Sequence, residues 1–84
     1  MNVVYALVCS ATPERKLLFN TQELARSALK MKADSTRYRF GVHVIEDTED
    51  VYKFLLGWEE ACVSWRVVPM NVYESTGEAK TWLE

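Results

Sequence analysis

Chemistry-bearing residues are scarce in this chain of 84 residues: one histidine, two cysteines, three glycines and two prolines. His43, Cys9 and Cys62 leave no four-ligand Cys/His set for structural zinc. Gly41, Gly57 and Gly77 stand apart, so no phosphate-cradling loop exists, and no acidic loop carries the spacing and glycine of a calcium site. Cys9 and His43 are the one conceivable nucleophile–base pair, yet no glycine-rich elbow or oxyanion-hole signature accompanies them. The expectation is a protein without cofactor, metal or catalytic residues.

Long apolar runs are also missing. The longest, Val3 to Cys9, is seven residues, where about twenty are needed to cross a bilayer. No Lys or Arg precedes it and no small-residue cleavage site follows, so it does not read as a signal peptide. This points to the cytoplasm, where the two cysteines are expected as reduced, small hydrophobes.

What the chain does have is an apolar share of 49% and ten aromatic residues, enough for one real core. Residues 1–84 therefore read as a single domain, one that leaves much of its surface exposed after folding. Ten aromatics exceed what a core of this size consumes comfortably, so some of Tyr52, Trp58, Tyr73 and Trp82 are expected at the surface, where interfaces use such rings as anchors.

The charge is split. Residues 1–39 carry Arg15, Lys16, Arg26, Lys30, Lys32, Arg37 and Arg39 against Glu14, Glu23 and Asp34. Residues 40–84 carry Lys53, Arg66 and Lys80 against nine acidic side chains, and the whole chain is −2. Segregated charge steers encounters more than it stabilises a fold.

Apolar periodicity gives the elements. Asn2 to Ser10 is apolar on both period-2 faces, as in an interior strand, and Pro13 in the turn Ala11 to Glu14 precedes a short strand from Lys16 to Phe19. Asn20 or Thr21 caps a helix ending near Asp34 and Ser35, with Leu24, Ala28 and Met31 or Leu29 inward and Arg26, Lys30 and Lys32 outward. Arg37 to Ile45 reads as a strand with Tyr38, Phe40, Val42 and Val44 facing the core. Asp47 or Thr48 then opens a second helix with Val51, Phe54, Leu55 and Trp58 as its inward stripe. Cys62 to Tyr73 is a long strand, bulged or at an edge near Pro69, and Ser75 with Glu78 opens a short terminal helix bearing Trp82 and Leu83. The expected fold is α+β in the order β-β-α-β-α-β: a four-stranded sheet with two helices on one face.

Two surfaces stand out. The acidic run Glu46, Asp47, Glu49 and Asp50, with Tyr52 and Trp58 nearby, reads as a partner-binding surface, although carboxylates at a helix start are also ordinary structure. The basic set Arg26, Lys30, Lys32, Arg37 and Arg39 reads as the alternative, a nucleic-acid surface. The acidic balance of the chain, with a pI near 5.4, weighs against that alternative.

A small acidic α+β chain with no catalytic apparatus resembles, in general character, small phage-encoded accessory proteins. The resemblance implies a protein that blocks or redirects a host protein. The expectation is thus a non-enzymatic protein-interaction module, an inhibitor or modulator, whose acidic and aromatic surface captures a protein partner. Homodimerisation is a separate expectation, with the basic half of one copy on the acidic half of another and a Val-rich edge at 62–68 pairing across the axis.

Overall fold

A computed structural model of the chain describes residues 2–58 and 60–73. Five strands and one helix follow in the order β1 (Asn2–Cys9), β2 (Lys16–Phe19), α1 (Gln22–Thr36), β3 (Val42–Asp47), β4 (Val51–Leu56) and β5 (Ala61–Val72). The strands form one sheet, β2-β1-β5-β4-β3, antiparallel at every pairing. This corrects the expected four-stranded sheet with two helices. The proposed terminal helix at 75–83 lies outside the described residues.

The second helix is strand β4, and the reason is a competition of periods. Residues 51–58 carry an apolar i, i+3, i+4, i+7 series and also an i, i+2, i+4 series of Tyr52, Phe54 and Leu56. The second wins because β4 pairs with β5 on one side and β3 on the other, turning Tyr52 and Phe54 into the core. Thr48 makes the preceding tight turn: its hydroxyl accepts from Val51 N at 3.0 Å, and its own N–H donates to the Val51 carbonyl at 2.8 Å.

Residues 37–41, expected as strand, are instead the turn between α1 and β3. Arg39 N–H donates to the Thr36 carbonyl at 3.0 Å, and Gly41 at φ 83° reverses the chain. Tyr38 and Phe40 consequently point to solvent rather than into the core.

Helix α1 starts where Thr21 Oγ1 accepts from Leu24 N at 3.2 Å. It packs on β1, β5 and β4, and its buried stripe is Ala25, Leu29, Ala33 and Thr36. Of the inward residues expected, Leu29, the alternative to Met31, is buried, whereas Leu24 and Met31 are exposed and Ala28 is partly buried at the edge of the core. Two alanines in the stripe let the helix backbone approach the sheet, where Leu29 fills the gap among Leu7, Tyr52 and Phe54. Tyr52 is fully buried, and its hydroxyl is hydrogen-bonded to Thr36 Oγ1 at 2.9 Å, which satisfies the one polar tip in this core.

Strand β5 carries the sheet. Its residues 61–66 pair with β4 while 65–72 pair with β1, so the segment 62–68 expected as a free edge is interior. Val67 N–H donates to Asp50 O on the β4 side at 2.9 Å. By strand alternation Pro69 faces the same side, beyond the end of β4, so its missing N–H costs no ladder bond. The true edges are β2 and β3, and β3 carries a bulge between Val44 and Glu46.

Candidate functional site

A helix advances about 100° per residue, so positions one after the buried stripe lie on one flank of α1 and positions one before it on the other. Arg26, Lys30 and Arg37 follow Ala25, Leu29 and Thr36, whereas Lys32 precedes Ala33. The sequence pattern thus divides the basic set between two flanks, and the sheet gives each flank a different neighbour.

The first flank faces the β3–β4 turn, where the acidic run lies. Arg26 Nε donates to Asp50 Oδ1 at 2.9 Å and its Nη2 to Asp50 Oδ2 at 3.1 Å, a bidentate pair, with Glu49 at 3.3 Å from Nη1. These hydrogen bonds hold the Asp50 carboxyl below its ordinary value and raise that of Arg26. Arg37 bonds Asp47 Oδ2 at 2.7 Å and lies 3.2 Å from Asp34. Three of the four residues of the acidic run are therefore joined to two of the five basic ones inside the same chain. Glu46 and Lys30 carry no ion pair among the described residues.

The second flank faces a cleft of about 380 Å³ that ends in an aromatic lip. Phe54, Leu56 and Val63 form its apolar floor, with Cys9 beside them. Trp65 is one wall, and Lys32 Nζ sits 5.0 Å from the centroid of its ring. Phe40 and Trp58 are the lip, stacked at 6.4 Å with only 13° between ring planes. Lys32 and Arg39 line the same cleft, and neither makes an ion pair among the described residues.

The lip is held from below. Gly57 N–H donates to the Gly41 carbonyl at 2.8 Å, tying the β4–β5 turn to the α1–β3 turn. Trp58 then lies so close over Gly41 that a Cβ there would fall within its ring. Gly41 is required twice, for its positive φ and for this approach. Phe40 is nonetheless 93% exposed, Tyr38 90% and Trp58 60%.

Of the residues singled out from the sequence, Trp58, Lys32 and Arg39 meet at this cleft. Tyr52 is core, and Arg26, Arg37, Asp47, Glu49 and Asp50 belong to the ion-paired flank. Cys9 is buried on β1 and His43 is exposed on β3, with β5 and β4 between those strands. Sequence reasoning missed Phe40 and Tyr38 as surface residues because their alternation with Val42 imitates a strand. The signal against it was Gly41, a residue that weakens a strand interior and marks a turn. No protein-family model, curated protein or solved structure matches this chain.

Proposed function

We propose that this chain is a non-enzymatic protein-binding module that engages its partner through the aromatic lip of Phe40 and Trp58, with the exposed Tyr38 nearby in sequence. The observation carrying the reading is Phe40, whose ring stands almost wholly in water yet is stacked on Trp58, a ring that passes close over Gly41. Contiguous exposed apolar surface of this kind marks interaction sites, and rigid aromatics anchor interfaces at small entropic cost. The acidic run is a weaker candidate for the contact surface, since most of its charge is engaged by Arg26 and Arg37. A module of this size acts by occupying a partner's surface, as an inhibitor or modulator does.

The test is selection of a displayed random-peptide library on the full chain, with each enriched clone measured again on the Phe40→Ala/Trp58→Ala variant. Clones that bind the native chain and lose about tenfold or more on the variant support the reading. No enrichment, or clones indifferent to the substitutions, would overturn it.

Nucleic-acid binding is the second reading, favoured by Lys30, Lys32 and Arg39, which are without ion pairs among the described residues. Two phosphate contacts on a single strand, at Lys32 and Arg39 on one flank, predict a log–log salt slope of about −1.4. A salt-insensitive association with oligo-dT would end that reading.

A further inference from the structure

We propose that the cleft beneath the lip receives a large apolar side chain of a partner peptide while Lys32 and Arg39 hold a carboxylate next to it, so that the module selects acidic–aromatic segments. This rests on the protein-binding reading and specifies its ligand.

The argument starts from how the cations are used. Arg26 and Arg37 are ion-paired with carboxylates of the same chain, whereas Lys32 and Arg39 have no ion pair among the described residues, and these two line the cleft. Lys32 rests over the Trp65 face, which uses its charge but leaves ammonium N–H groups to donate. No carboxylate lines the cleft among the described residues, so its local field is positive in a chain that is negative overall. An acidic ligand is drawn to this point by the two cations.

The floor decides what the buried part of the ligand is. Phe54, Leu56 and Val63 offer no hydrogen bond, and Thr36 Oγ1 is already engaged by Tyr52 and the Lys32 carbonyl. A nucleobase placed there would bury donors and acceptors without partners, at about 1–3 kcal/mol for each. A phenyl or isobutyl group carries no such cost and gains from burial. A volume of about 380 Å³ is within the range of small-ligand sites and exceeds what one such side chain needs, leaving room for the neighbouring carboxylate at the rim. The occupant is therefore apolar at the floor and anionic at the rim.

The test is titration of the isotope-labelled full chain, followed by NMR, with three acetylated and amidated peptides: Asp-Asp-Phe-Leu-Asp, Ser-Ser-Phe-Leu-Ser and Lys-Lys-Phe-Leu-Lys. An eight-residue oligo-dT is the fourth probe. The acidic peptide should shift the Arg39, Phe40 and Trp58 signals saturably, about tenfold more tightly than the neutral one, with the basic peptide weakest. Arg39→Glu should weaken the acidic peptide more than the neutral one and so narrow the acidic preference, while Phe40→Ala should weaken all peptides. Equal binding of the three peptides at the lip would overturn the charge selection but leave the protein-binding reading standing. No shift with any peptide would overturn both. Oligo-dT saturating the same signals at lower concentration than the acidic peptide would also overturn the proposal and favour nucleic acid.

Discussion

Helix α1 has two basic flanks, and they differ in what the sheet places opposite them. On the flank of Arg26 and Arg37 the β3–β4 turn supplies Asp47, Glu49 and Asp50, and the charges are consumed in holding that turn against the helix. On the flank of Lys32 the neighbours are Trp65, Phe40 and Trp58, and the charges of Lys32 and Arg39 stay available. Similar side chains on one helix thus act as structure on one side and as recognition chemistry on the other. Basic residues alone do not mark a binding site; what matters is whether the fold has already given them partners.

That contrast can be broken most severely at Gly41. Gly41→Ala places a Cβ into the Trp58 ring at a positive φ, and should cost about 2 kcal/mol, or about 8–16 °C in the thermal midpoint. A calorimetric loss under half that size would show that the exposed Trp58 ring swings aside and that the positive φ at residue 41 is tolerated.

Arg37→Met should be the next largest effect. It removes the partner of both Asp34 and Asp47, and because the Arg37 side chain is only 24% exposed the loss should be about 1 kcal/mol by urea unfolding. The same change at Arg39, which has no ion pair among the described residues, should stay within about 0.5 kcal/mol. Equal losses at the two positions would erase the distinction between the flanks.

The ion-paired flank should also respond to acid. The Asp50 carboxyl titrates below its ordinary value in the fold, so its stabilisation is complete above the value it has when unfolded. That stabilisation disappears as pH falls through the lowered, folded value. Thermal midpoints recorded across this acidic window should fall for the native chain and fall less for Asp50→Asn. Identical pH profiles would mean that the Arg26–Asp50 pair is not felt in solution.

The smallest expected effect on stability is at Phe40. Its ring is so exposed that Phe40→Ala should change the unfolding free energy by less than about 0.5 kcal/mol, while binding of selected peptides is lost. A large destabilisation would turn the stacked pair into a structural element instead of a contact surface.

Much of the N-terminal half was legible. The strand from Asn2, the hairpin to Phe19 and the helix after Thr21 each combine a clear period with a turn or cap residue. The helix stripe is legible at Leu29 but not at its flanks, where the larger Leu24 and Met31 are exposed and the small Ala25 and Ala33 are buried. In the tertiary structure the small residues are buried because the helix backbone must come close to the sheet.

The candidate site was legible only in pieces. Trp58, Lys32 and Arg39 could be named from the sequence, but they come from three separate segments. Phe40 reads from its alternation as a core residue, and nothing local shows that Trp58 passes close over Gly41.

By itself the sequence determined composition and local pattern: enough apolar residues for a core, surplus aromatics, a basic helix and an acidic run. These follow from composition and short-range periodicity, which act through propensity, capping and burial within a few residues. Only the tertiary structure decided that residues 51–56 are a strand, because a segment compatible with both periods takes the one whose backbone groups find partners, and β5 supplied them. It likewise decided which cations were neutralised, since a charge is satisfied by what lies within about 4 Å in space, wherever that group stands in the chain.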